Sequence, residues 1–215
     1  MSQPMTTLPC GVLRRFALFA VFVWAGATTS SVAASDVLRV MLEEPVGGEI
    51  HGGVGNLRGW AVASEGIEKV EIWIDGAYAF DAPYGGARSD VAEAFPDVDG
   101  SDKSGFSLAY GYVDLTSGSH TISAVAHTVT GETEESAANF TVVKFKGEFI
   151  SGPNAVDLSN TSCEASGDEI SASNALIGGD AYDMVLDWRT AEQGFEVVDI
   201  SEFVDESGAT GPADS

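Results

Sequence analysis

The side chains that could do acid–base or metal chemistry in this chain are few in kind and poorly spaced for it. Histidine occurs three times, at His51, His120 and His127. No Gly-x-Ser-x-Gly elbow accompanies them, so the strand-to-helix setting of a nucleophilic serine is missing. His120 and His127 are seven residues apart; on one continuous strand they face opposite sides, which argues against a shared zinc ion. Carboxylates are abundant, with 33 acidic residues, and at that number a pair at glycosidase spacing arises by chance. Gly52-Gly53-Val54-Gly55 is not followed by the Lys-Ser/Thr of a phosphate-cradling loop and reads as a turn. Asp97-Val-Asp-Gly-Ser-Asp102 spaces Asp97, Asp99 and Asp102 at positions 1, 3 and 6 of a loop. Oxygen ligands on irregular backbone suit Ca²⁺, but the bidentate Glu of an EF-hand loop is absent, and the segment is read as a solvated acidic turn. No catalytic, cofactor-binding or metal-ligating residue is assigned, and no cofactor is expected.

Recognition is the better-supported chemistry. Ile67 to Ile74 alternates with period two: Val70, Ile72 and Ile74 point one way, Glu71 and Trp73 the other. With the aliphatic face in the core, Trp73 is an aromatic platform beside Tyr78 or Tyr84, unless the 83–104 loop or the C-terminal unit covers it. Trp60 is read as a core residue, as strand tryptophans are in immunoglobulin sandwiches.

These residues need strands to hold them. Val37–Leu42, Asn56–Val62, Ile67–Ile74, Ala77–Phe80, Phe106–Tyr112, Thr121–Ala126 and Asn139–Phe145 read as strands cut by turns. Asp75-Gly76 is a preferred two-residue hairpin turn, because both positions tolerate positive φ. Pro83 to Ser104 is irregular, and Val91–Phe95 is at most one helical turn. About seven short strands with frequent turn signals predict an all-β, immunoglobulin-like two-sheet sandwich over 35–145. A small β unit follows over 146–204, jointed at Gly152-Pro153. In it Tyr182, Met184, Leu186 and Trp188 share a face, and Phe195–Ile200 forms a further strand. Being short for an independent core, it is expected to dock on the sandwich. Residues 205–215 read as a disordered tail.

The first 34 residues carry Arg14-Arg15, an apolar run from Phe16 to Ala27 and small residues up to Ala34. This is the pattern of a signal peptide cleaved near Ala34, and its apolar core is short for a membrane span. Export to the periplasm or the medium is expected, with no membrane insertion of the mature chain. Cleavage takes Arg14, Arg15 and Cys10 with it, leaving 8 basic residues against 33 acidic ones and a net charge of −25. That balance excludes nucleic acid as a partner, since phosphate binding rests on Lys and Arg. Cys163 is left unpaired and is read as a buried small hydrophobe.

The order of motifs from Gly59-Trp60-Ala61 onward resembles a bacterial Ig-like domain family of secreted and cell-surface proteins. It continues through Ile67…Val70-Glu71…Ile74-Asp75-Gly76 and Tyr84-Gly85…Arg88-Ser89-Asp90-Val91…Phe95-Pro96. Ser104-Gly105-Phe106 and Gly118-Ser119-His120-Thr121-Ile122 complete it, over about residues 40–144. The resemblance implies an extracytoplasmic, non-catalytic module and supplies no catalytic residue. The expected role is an exported accessory protein, not an enzyme, that binds a protein or cell-surface component. A small carbohydrate-binding module, with a polysaccharide partner, is the alternative.

Overall fold

Alternating apolar residues and frequent glycine turns build strands almost throughout the computed structural model, which describes residues 36–146, 150, 152, 154–205 and 208. In chain order these are β1 (Leu38–Glu44), β2 (Ile50–His51), β3 (Val54–Ala63), β4 (Ile67–Ile74), β5 (Ala77–Asp81) and β6 (Tyr84–Gly86). A six-residue helix α1 (Ser89–Ala94) precedes β7 (Gly105–Gly111), β8 (Gly118–Thr128) and β9 (Thr133–Val142). The β4–β5 turn forms at Asp75-Gly76 with φ of 51° and 77°, as the Asp-Gly pair predicts.

Two sheets face each other. One has the order β1-β3-β7-β6 and the other β2-β9-β8-β4-β5. Every pairing is antiparallel except that of β2 with β9, which is parallel. Their inner faces meet in one cluster. Val40, Leu42, Leu57, Ala61 and Phe106 come from the first sheet, and Val70, Ile72, Ile122, Ala124, Phe140 and Val142 from the second. Burying each large apolar side chain contributes about 1.5–3 kcal/mol, and the described cysteine, Cys163, is free, so packing carries this part of the fold. The architecture is an all-β sandwich.

A second, smaller core lies on the outer face of the four-stranded sheet. Val91 of α1, with Phe95 and Val98, packs on Val62 and Trp60, and the Trp60 and Phe95 rings sit 5.6 Å apart. Trp60 is therefore covered by the 87–104 segment and is not an inter-sheet core residue as the sequence suggested. The reason is Gly59: lacking a Cβ, it lets the Phe106 ring into the space beneath it, so the core is filled from β7.

The remaining strands, β10 (Val156–Asp157), β11 (Ser162–Ser166), β12 (Glu169–Ile177), β13 (Asp180–Arg189) and β14 (Gly194–Glu202), form a third antiparallel sheet. Its order is β10-β12-β13-β14, with β11 also on β12. Ala175, Ile177 and Tyr182 form its buried apolar cluster, with Phe145 and Ile150 against them. Cys163 is exposed, contrary to the expectation of burial: β11 pairs with β12 alone, and all five of its residues face solvent. All fourteen strands belong to one compact unit, Ser35–Ser215. The expected signal peptide with its cleavage near Ala34, Pro153 of the expected joint and most of the 205–215 tail lie outside the described residues. Among the described residues no helix is long and apolar enough to cross a membrane.

Candidate functional site

The outer face of the five-stranded sheet, at its β4–β5 end, gathers the polar and aromatic groups best placed to recognise a ligand. Strand parity turns Lys69, Glu71 and Trp73 outward from β4, with His127 beside Lys69 on β8. The Glu71 carboxylate is the hub and is only 9% exposed. Lys69 Nζ donates to its Oε1 at 2.5 Å and Trp73 Nε1 donates to its Oε2 at 3.0 Å. His127 Nε2 lies 3.1 Å from the same Oε2. The Lys69 hydrogen bond, helped by those from Trp73 and His127, outweighs the cost of burial and lowers the Glu71 carboxyl to about 2. Glu71 thus stays ionised and pins the edge of the indole.

Trp73 is half-buried, and among the described residues it belongs to none of the apolar clusters, whereas Trp60 joins that of α1. Its ring meets Tyr78 edge-on, with centroids 6.0 Å apart. Tyr78 is 52% exposed, and its hydroxyl donates to Asp81 Oδ1 at 3.3 Å. Both belong to β5, which among the described residues pairs only with β4. The outcome is an aromatic pair with a polar rim on an open sheet edge. Tyr84, the other aromatic considered beside Trp73, belongs elsewhere: its hydroxyl donates to the Ala61 carbonyl at 2.8 Å, and its ring packs on the sandwich core.

The histidines are engaged in structure. His120 lies 2.7 Å from Asp75 Oδ2 through Nδ1 and 2.8 Å from the Thr116 carbonyl through Nε2. The Thr116 hydroxyl is 3.5 Å from Nε2, which superficially makes an aspartate–histidine–threonine line. A carbonyl only accepts, however, so Nε2 must carry a proton and has no lone pair to act as a base. The hydrogen bond to Asp75 is the main cause of a raised His120 pKa. The pair clamps the β4–β5 turn to the start of β8.

Sequence reading missed a third arrangement. His51 is 3% exposed and stacks on Tyr112 with centroids 4.0 Å apart. Its Nδ1 is 3.0 Å from Glu196 Oε1 and its Nε2 3.4 Å from Glu49 Oε2. Arg189 donates to the Ile50 carbonyl at 2.9 Å and sits 3.5 Å from Glu196. Burial alone would push the ring down, but the hydrogen bonds to Glu196 and Glu49 prevail and raise it to about 9. Glu49 and His51, two residues apart, were the local signal; Glu196 is 145 residues from His51. No serine, threonine or cysteine hydrogen-bonds this ring among the described contacts. Asp97, Asp99 and Asp102 are exposed, and among the described residues no three metal-binding side chains converge.

No protein-family model matches the chain, and no curated protein is similar to it in sequence. Solved structures do align with it. A fibronectin(III)-like module of CbhA from Clostridium thermocellum is 16% identical, with a TM-score of 0.33, over 50% of this chain and 100% of that one. CopC from Methylosinus trichosporium OB3b is 15% identical, with a TM-score of 0.32, over 52% and 98%. SGBP-B of the Bacteroides ovatus mixed-linkage glucan utilization locus, solved with a mixed-linkage heptasaccharide, is 14% identical at a TM-score of 0.26, over 80% and 46%. The fold assignment rests on the sheets and the core they share.

Proposed function

We propose that this chain is an exported, non-catalytic binding module of the bacterial Ig-like kind, which engages a protein or envelope component through the β4–β5 edge. The observation that carries this reading is the placement of Trp73 and Tyr78: a half-exposed aromatic pair beside a strand whose far side pairs with no other strand among the described residues. Exposed aromatics on an open edge supply apolar contact, while the backbone of β5 supplies hydrogen-bonding groups for an added strand. The non-catalytic part is supported by His120, whose two ring nitrogens are committed to Asp75 and the Thr116 carbonyl. Export is supported by the N-terminal sequence pattern.

A polysaccharide is the second reading. It is favoured by the Trp73 indole, fixed through Glu71 and rimmed by Lys69, Asp81 and the Tyr78 hydroxyl, because apolar sugar faces stack on such rings while hydroxyls meet the polar rim. Residues 35–215 are tested against a glycan array and, in parallel, by pull-down from the native envelope, each with Trp73→Ala and Tyr78→Ala. Saturable glycan binding lost in both variants selects the polysaccharide. A protein captured by the native sequence but not by the variants selects the protein partner. If neither assay yields binding that depends on these residues, the reading of this face fails.

A further inference from the structure

The contact between the sandwich and the third sheet is built from charge. The apolar cluster of the sandwich and that of the third sheet share no residue among those described. Apart from the Phe145 ring against Tyr182 just past β9, what joins them is mainly polar: the Ile50–Gly53 segment meets Arg189, Glu196 and the Val197 backbone. Gly52 N donates to Glu196 Oε1 at 3.2 Å. Gly52 also lies so close to the Val197 carbonyl that no Cβ fits between them. The buried charged contacts here are long, with His51 Nε2 3.4 Å from Glu49 Oε2 and Arg189 Nε 3.5 Å from Glu196 Oε2, and Glu44 Oε2 has no hydrogen-bond partner among the described residues. A joint fixed for good would satisfy those atoms or replace them with apolar packing.

The charges facing His51 come from every element around it. Glu49 precedes β2, Glu196 is on β14 and Arg189 on β13, while Tyr112 covers the ring face. Behind these, Glu44 of β1 pairs with Arg58 of β3 at 3.1 Å, and Glu192 adds negative charge beside Glu44. A cationic His51 donates to both carboxylates. A neutral ring has one proton for two acceptors, so one carboxylate must face a lone pair in a buried setting.

We propose that the proton on His51 latches the third sheet to the sandwich, and that its loss lets the sheet swing away as a body while the sandwich stays folded. The docked ring ionises at about 9, against about 6.5 for a free imidazole. The latch is therefore complete below pH 6.5. Between pH 6.5 and 9 the undocked-to-docked ratio rises by up to ~10-fold per pH unit, and above that it levels off.

The test places spin labels on Cys163, exposed on β11, and on Glu135→Cys, exposed on β9, in the full chain carrying Cys10→Ser. Pulsed EPR distances are read from pH 6 to 10. One narrow distribution is expected at pH 6, with a broad component growing between pH 6.5 and 9. His51→Gln is expected to be broad already at pH 6 and insensitive to pH up to 9. A narrow distribution that persists to pH 9.5 overturns the latch, as does a pH response that survives in His51→Gln. Should that variant lose its folded near-UV signal, Glu196→Gln decides: removing one carboxylate must move the transition to lower pH, and an unmoved transition overturns the proposal.

Discussion

The indole nitrogen of Trp73 donates to the carboxylate of Glu71, its neighbour on the same strand face, at 3.0 Å. The carboxylate is thus the device that orients the aromatic platform. Its ionisation lies near 2, below the ordinary 4.5, so its contribution is complete above pH 4.5 and is lost as pH falls through about 2. In Glu71→Ala the indole and His127 lose a partly buried acceptor, at a cost of about 1–3 kcal/mol. The Trp73 Nε1–H resonance is expected to exchange faster with solvent in the variant at neutral pH, and in the native sequence only as acid protonates Glu71.

Gly59 and Gly53 make a matched pair for denaturant melts. A Cβ at Gly59 collides with the Met41 carbonyl and the Phe106 ring, whereas a Cβ at Gly53 meets nothing within 4 Å. Gly59→Ala is expected to destabilise by about 1–3 kcal/mol through overpacking. Gly53→Ala is expected to stay within about 0.5 kcal/mol of the native sequence.

The Asp75–His120 clamp has a defined pH window. Asp75 is lowered, first by the Thr121 backbone hydrogen bond and then by His120, so its contribution is full above pH 3.8 and lost as pH falls. His120 is raised, so its contribution is full below pH 6.5 and lost as pH rises through its higher folded value. His120→Gln is expected to cost about 1–2 kcal/mol near pH 5.5, allowing for the exposure of Asp75. Urea midpoints measured against pH should show that cost shrinking on the alkaline side.

Cys163 offers a kinetic check on the third sheet. An exposed thiol on an edge strand reacts without unfolding. A maleimide added to native residues 35–215 is expected to modify one thiol per chain at a rate close to that in urea; a rate slower by a hundredfold would contradict the exposure of β11.

The sandwich was legible where one face of a strand is wholly apolar. Ile67–Ile74 announces both its parity and its turn, and the structure buries Val70 and Ile72 while turning Glu71 and Trp73 outward. Parity could not say which outer face would be roofed over. Trp60 and Trp73 both point away from the inter-sheet core and both end half-buried, but only the path of the 87–104 segment, set by Val91 and Phe95 finding Val62 and Trp60, decides that Trp60 joins an apolar cluster while Trp73 meets Tyr78. Ser162–Ile177 escaped because β11 and β12 are rich in Ser, Ala and Glu, with little apolar alternation to reveal them. The His51 cluster escaped for a different reason: its members meet only once the third sheet is in place.

The parallel pairing of Ile50 with Thr141 and His51 with Val142 also governs the timing of assembly. Closing it joins segments some 90 residues apart, and contacts of that span slow folding far more than local hairpins do. The hairpin of β8 and β9 can form by itself as soon as both have emerged, whereas β2 has no strand partner until β9 arrives. A nascent chain halted before Thr133 would therefore carry an open β8 edge and an unanchored His51. The sandwich closes only when its last strand, β9, is available.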